Sequence, residues 1–209
     1  MIPIAASPPA CRRAFILASL AALLPVSRAR AEDEDARATA FIREAGVMLG
    51  DIARRAITPE ARRAALKPFL ERVVDMADLA RFCLGRYWAQ ADQARRLRYQ
   101  ALLETVILLN VRNRLGSYEG GNARVVVGRA IATGDGHEVP TLVQSGNDAA
   151  VRITWRVSFT SGAPRIVDVS AEGISLRVTL RGDFTSWLRQ NNGDLDALFA
   201  AMERMIAGL

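Results

Sequence analysis

The spacing of apolar residues changes along the chain from a helical period to an alternating one. Over residues 35–52 the apolar side chains recur every three or four positions, and this period returns in three further segments up to about Gly116. After Gly121 the period becomes two, and between residues 149 and 160 the odd positions are apolar and the even positions mostly polar. The pattern predicts helices first, then strands with one wet face and one dry face.

Four alternating runs predict the strands, and further helices follow them. The runs cover residues 124–132, 138–144, 149–160 and 165–172, and turns that contain glycine separate them. From about Gly173 the helical period returns, and it is interrupted at residues 191–193. Because helices and strands are segregated along the chain, the sequence predicts an α+β fold in which helices cover a curved four-stranded antiparallel sheet.

Capping residues indicate where the first helices begin and end. Thr58, followed by a proline, starts the second helix, and Asp75 and Asp92 can cap the third and the fourth. The third helix is expected to stop at Gly85. In the fourth helix, residues 105–111 are apolar on nearly every face, which predicts burial on more than one side or the border of an internal cavity.

Residues 1–31 have the three regions of a cleavable export signal. Arg12 and Arg13 precede an apolar run over residues 14–26, and a small-residue box ends at Ala31. The run is shorter than the roughly 20 residues that span a bilayer. We therefore expect cleavage after Ala31 and a single mature domain over residues 32–209. The paired arginines suit twin-arginine export, and the Sec route stays open.

The export signal carries most of the positive charge of the chain. The formal net charge is +6, and residues 1–31 hold four arginines and no acidic residue, which leaves +2 on the mature chain. The remaining arginines are interleaved with aspartate and glutamate along the helices. We therefore expect no nucleic-acid partner.

Few residues of the chain could support catalysis or metal binding. His137 is the single histidine and stands in a glycine-rich turn, where we expect it to be solvated. Cys83 stands in an apolar helical stretch and is expected to be buried packing. No metal or triad motif can be built around one histidine, so we expect no enzyme and no cofactor.

Two carboxylates keep an enzymatic alternative open. Asp168 and Glu172 lie on the polar positions of a predicted strand, where one of them could act as the base of an isomerase or dehydratase. The alternative is structural, with the carboxylates in water or paired with Arg152 or Arg156 on a neighbouring strand. A base would have to point into a cavity, so the direction of these side chains separates the two hypotheses.

Three segments together resemble the MlaC (toluene-tolerance) family of periplasmic phospholipid-binding proteins. They are residues 74–88, residues 166–176, and Arg181-Gly182-Asp183-Phe184 with the glycine and the closing helix that follow. The first is followed, as in that family, by a helix rich in arginine and glutamine that carries Tyr99. Family members often have a tryptophan just before the second segment, where this chain has Pro164 and Arg165.

The resemblance implies a cone similar to nuclear transport factor two, with an apolar cavity between the sheet and the helices. It also implies a periplasmic, monomeric carrier that shuttles phospholipid between an outer-membrane lipoprotein complex and an inner-membrane ABC transporter complex and so maintains lipid asymmetry. A hopanoid-associated branch of the family is an alternative, and a purely structural envelope subunit is another.

An apolar cavity of this kind needs a continuous hydrocarbon lining. The candidates for the lining come from the fourth helix, the dry strand faces and the segments beyond them: Leu102, Leu103, Val106, Ile107, Val151, Ile153, Trp155, Val157, Val167, Val169, Ile174, Leu176 and Phe184. The phosphate headgroup can stay in water near an arginine, and the candidates are Arg81, Arg86 and Arg114.

Overall fold

The computed structural model describes residues 24–56, 58–116, 123–134, 136–146 and 149–208, without the side chains of residues 24–31, 113–116 and 123. Residues 1–23 of the predicted export signal therefore lie outside the described residues. The predicted cleavage point after Ala31 falls within the first helix. The described helices are α1 (Leu24–Arg55), α2 (Pro59–Val73), α3 (Met76–Leu84), a 3-10 turn (Gly85–Ala89), α4 (Gln93–Gly116), α5 (Leu176–Gln190) and α6 (Leu195–Ala207).

The predicted caps start and stop the helices. Thr58 Oγ1 accepts a hydrogen bond from the backbone N–H of Ala61 at 3.1 Å, and Asp75 accepts one from the N–H of Asp78 at 2.9 Å. Asp92 caps α4 in the same way, and Gly85 ends α3 with a positive φ of 57°. Each cap satisfies backbone groups that have no partner inside the helix.

The sheet has six strands, where four were predicted. All neighbouring strands are antiparallel, in the order β1-β3-β4-β5-β6, and β2 pairs with β3 beside β1. The α+β class and the antiparallel sheet are thus confirmed. The strands are β1 (Ala123–Val127), β2 (Ile131–Thr133), β3 (Gly136–Ser145), β4 (Val151–Ser158), β5 (Arg165–Ala171) and β6 (Ile174–Ser175).

Two local features account for the additional strands. The predicted run over residues 124–132 is divided at Gly128, whose N–H donates to Pro140 O at 2.8 Å and where an added Cβ would lie 3.0 Å from the proline ring. The second feature is a two-residue turn at Glu172 and Gly173, with φ values of 49° and 82°. This turn folds Ile174 and Ser175 back onto β5, so α5 begins only at Leu176.

Residues paired across neighbouring strands point to the same side of a sheet. In this sheet the pairing collects apolar residues on one face and mostly polar residues on the other. Glu138, Arg156 and Asp168 lie opposite one another on the polar face. Two rows of the apolar face are, in strand order, Val139, Trp155 and Val169, then Thr141, Ile153, Ala171 and Ile174.

The described residues form two hydrophobic clusters. The helical core is formed by the five helices α2, α3, α4, α5 and α6. Tyr99 lies near its centre, in an edge-to-face contact with Phe184 and stacked on Phe199. The sheet core joins α1 to the apolar face of the sheet through Ala38, Ile42 and their neighbours. Phe69 and Val74 contact both clusters.

His137 helps to anchor α1 to the sheet, and the prediction that it is solvated is wrong. Its side chain is buried because β3 already begins at Gly136, which places His137 in the strand and not in the turn. Nδ1 lies 2.8 Å from Asp35 Oδ1 and Nε2 lies 3.3 Å from Glu34 Oε2. Nearby, Thr39 Oγ1 accepts from the N–H of Ala130 at 2.9 Å.

His137→Ala is expected to destabilise the fold. The substitution removes the imidazole that contacts the carboxylates of Asp35 and Glu34, and losing these buried contacts should cost about 1–3 kcal/mol. Urea unfolding followed by circular dichroism measures the change. Asp35→Asn, which keeps a hydrogen-bonding group toward the imidazole, should cost less. An unchanged unfolding free energy in His137→Ala would contradict the anchor.

Candidate functional site

The described side chains of helix α1 pack on the half of the apolar face around Val139 and Val157. Beyond the row of Val139, five apolar side chains form a patch that we call the open half-face: Val125, Val143, Val151, Ile153 and Ile174. Val125 is 52% exposed, Val151 37% and Ile174 69%, whereas Val143 and Ile153 are half-buried. An exposed group of neighbouring apolar side chains typically marks a binding surface.

The open half-face is continuous across the strands. Val125, Val143 and Val151 are direct cross-strand neighbours, and the row of Ile153 ends at Ile174. Thr141 is the polar member of that row, and its hydroxyl is used inside the protein. It donates to Ile153 O and accepts from the indole N–H of Trp155, both at 3.1 Å. A hydrocarbon on this surface therefore meets methyl groups and a hydroxyl whose hydrogen bonds are already made.

The candidate lining residues from the sheet occupy different depths. Val151, Ile153 and Ile174 belong to the open half-face, and Trp155 lies at its border, partly packed against the sheet core. Val157 is buried within the sheet core. The remaining candidates differ in exposure: Val167 is buried, Val169 is half-buried, and Leu176 is exposed in the first turn of α5.

The candidates from the helices lie in the other cluster. Leu103, Val106, Ile107 and Phe184 are buried in the helical core, and Leu102 packs at its margin. Helix α4 packs on α2, α3 and α6. The predicted lining residues are therefore divided between two clusters, and a cavity lined by both groups stays a prediction.

Two members of the open half-face were not among the candidates. Val125 and Val143 lie opposite each other on β1 and β3. Both strands were predicted, and the alternation within them could have identified these residues. What the sequence does not contain is the register, which brings Val143 next to Val151.

The candidate headgroup arginines have partners within the protein. Arg81 pairs with Asp78 at 2.7 Å. Arg86 donates to the hydroxyl of Tyr87 at 2.9 Å, and its guanidinium lies 4.9 Å from the centre of that ring. The side chain of Arg114 lies outside the described residues. A headgroup contact at these arginines stays a prediction.

Asp168 and Glu172 both take part in local structure. Asp168 accepts from the N–H of Val169 at 2.8 Å and of Arg177 at 3.1 Å, and from the hydroxyl of Ser175 at 2.5 Å. The carboxylate thereby joins β5 to the start of α5. Glu172 accepts from the N–H of Arg152 at 2.5 Å at the surface. Asp168 points to the polar face, away from the open half-face.

Two further findings concern metal ions and membranes, and both apply to the described part of the chain. It contains no group of three His, Cys, Asp or Glu side chains placed to hold a metal ion. Among the helices that the structure describes, none has both the length and the apolar character to cross a bilayer.

Comparison with solved structures shows that the fold of this chain is a known one. The chain matches the solved structure of a phospholipid-binding protein from Ralstonia solanacearum in complex with a phospholipid, with a TM-score of 0.72 and 17% identity. The match covers 82% of this chain and 97% of that one. At this identity the likeness shows a shared fold.

The family follows from the sequence itself. The model of the MlaC protein family matches residues 47–204, which is more than half of the chain. The chain therefore belongs to the MlaC family, as the resemblance in the sequence indicated. No curated protein matches the sequence.

Cys83 is expected to be chemically inert in the folded protein. It is fully buried, and this burial raises the pKa of its thiol to about 12. Because the thiolate is the reactive form, a thiol reagent at pH 8 should label the native protein at least about 1000-fold more slowly than the protein in urea. The chain from Glu32, which lacks Cys11, gives a single reporter, and Cys83→Ala gives the blank. Equal rates in the two states would contradict the burial.

Proposed function

We propose that the protein is a phospholipid carrier that holds acyl chains against the open half-face. The observation that carries the proposal is the contiguous exposed apolar surface on one face of the sheet, opposite a polar face. Membership of the MlaC family and the fold shared with a protein solved in complex with a phospholipid support the same ligand class.

The energetics of lipid transfer explain why the surface has to be apolar and continuous. Each methylene that leaves a bilayer costs about 0.8 kcal/mol unless the carrier shelters it again. One unpaired polar group against the chain would cost about 1–3 kcal/mol. The satisfied hydroxyl of Thr141 and the methyl groups of the neighbouring valines avoid that cost.

The cellular role that we propose is a shuttle in the periplasm. The export signal over residues 1–31 supports a place outside the cytoplasm, with residues 32–209 as the working domain. We propose that the monomeric protein takes phospholipid from one envelope complex and delivers it to another, between an outer-membrane lipoprotein complex and an inner-membrane ABC transporter. Such traffic would maintain the lipid asymmetry of the outer membrane.

Binding without turnover is the mode of action that we propose. The two carboxylates considered as catalytic bases already have structural partners, Asp168 at the start of α5 and Glu172 in the turn before β6. The contacts of each carboxylate give it a role in the fold, which supports binding over catalysis.

A charge placed on the open half-face should abolish phospholipid binding. In Val151→Glu the new carboxylate would have to lie against acyl chains or displace them, so we expect loss of at least nine-tenths of the co-purifying lipid. Native mass spectrometry of protein isolated from the periplasm measures the bound fraction. Leu142→Glu is the matched control, because Leu142 is 44% exposed on the opposite face.

The control variant should retain its lipid and fold as stably as the parent protein. Thermal unfolding of both variants tests whether any lipid loss follows from a damaged fold. The proposal fails if Val151→Glu is stably folded and still carries phospholipid, or if the parent protein carries none and takes none up from vesicles.

A further inference from the structure

A polar cleft of about 240 Å³ lies on the face of the sheet opposite the open half-face. Four charged side chains line it, Glu138, Arg156, Asp168 and Arg177, together with the hydroxyls of Thr154 and Ser170. The cleft is built on β3 to β6 and the first turn of α5. None of the predicted headgroup arginines lines this cleft.

The charges in the cleft alternate in sign. Glu138, Arg156 and Asp168 are direct neighbours across three strands, and neighbouring strands are about 4.8 Å apart. Arg156 Nη2 lies 2.8 Å from Glu138 Oε1. Arg177 continues the series beside Asp168. Two acids and two bases thus stand in a row, with nearly no net charge.

Arg177 is held in place by neighbours that leave one of its donors unused. Its guanidinium carbon lies 4.4 Å from the centre of the Phe82 ring, which fixes the group by a cation–π contact. Nε is 3.6 Å from Asp168 Oδ2, too far for a hydrogen bond, and no other described residue accepts from it. Because Nε is itself buried, only the outer part of the guanidinium faces the cleft.

A row of hydroxyl groups lies beside the charged row. Thr154, Ser170 and Ser175 are cross-strand neighbours on the same face. Ser175 caps α5, whose N-terminus adds a partial positive charge next to the cleft. The hydroxyls of Thr154 and Ser170 and a helix N-terminus suit the oxygens of a phosphate, whereas the two carboxylates suit an amine.

We propose that this cleft binds a small zwitterion in which an ammonium group and a phosphate are joined by a two-carbon linker. A phosphate alone would meet the repulsion of Glu138 and Asp168, and an amine alone would meet that of the two arginines. A zwitterion places each charge opposite its complement. Across a two-carbon linker, its two charges are separated by about the distance between neighbouring strands.

Two sources could supply this chemistry. One is a free phosphoethanolamine compound, and the other is the headgroup of a phospholipid whose tails lie on the open half-face, which rests on the proposed function. For the lipid headgroup, the path from the open half-face to the cleft is short, because β6 at the edge of the sheet has only two residues. Ile174 pairs with Ala171 on the apolar face, and the next residue, Ser175, lines the cleft.

Calorimetric titration of the delipidated chain with glycerophosphoethanolamine tests the proposal. We expect saturable binding at least about tenfold tighter than that of glycerol 3-phosphate or ethanolamine. Arg156→Gln should weaken it at least tenfold, and Glu138→Gln should remove the preference for the zwitterion over glycerol 3-phosphate. Arg152→Gln is the matched control, since Arg152 lies on the same face of β4 outside the cleft.

The same titration on protein loaded with phosphatidylethanolamine separates the two sources. A headgroup seated in the cleft blocks the probe, whereas a site for a free molecule still binds it. No saturable binding, equal affinity for glycerol 3-phosphate, or an equal loss in Arg152→Gln would overturn the proposal. If phospholipid co-purifies but the delipidated protein does not bind the probe, the proposed zwitterion site is wrong and the proposed function stands. If the protein binds the probe but takes up no lipid, the proposed function is wrong and the zwitterion site stands.

Discussion

The position of α1 on the sheet decides what the apolar face can do. The helix is fixed by the buried His137 between two carboxylates, by the hydrogen bond from Ala130 to Thr39, and by packing of Ala38 and Ile42. These contacts bury the half of the face around Val139. The other half keeps its methyl groups accessible, so one sheet provides both a core and the surface that we propose for lipid binding.

The helical core allows this division. Tyr99, Phe199 and their neighbours bury a cluster that does not include the open half-face. The helical core stabilises the fold without a bound ligand, because its side chains already contact one another. A carrier has to persist both loaded and empty, and a main core that is separate from the proposed binding surface is consistent with that need.

Much of the fold could be predicted from local signals. The change of period, the caps at Thr58, Asp75 and Asp92, and the alternation in β4 each depend on a few neighbouring residues, and each is observed. The family resemblance in three segments predicted the ligand class. Because these signals are local, they can be recognised without knowledge of tertiary contacts.

Most of the features that the sequence did not predict depend on contacts between distant residues. The break at Gly128 needs Pro140, and the burial of His137 needs Asp35 from α1. The β6 strand follows a turn in which Glu172 takes a positive φ that few residues other than glycine adopt, so composition does not signal it. The assignment of α4 to the lipid site stays a prediction, since the packing of α4 on α2, α3 and α6 does not test it.

Fluorescence quenching of Trp155 by phospholipids with brominated acyl chains tests the central claim most directly. Trp155 borders the open half-face, whereas Trp88 and Trp187 pack against the helical core, so variants that retain a single tryptophan report on each place. Because bromine quenches only at short range, we expect strong quenching of Trp155 and little of the other two. Quenching of Trp88 or Trp187 with Trp155 unaffected would place the lipid in the helical layer and contradict the account.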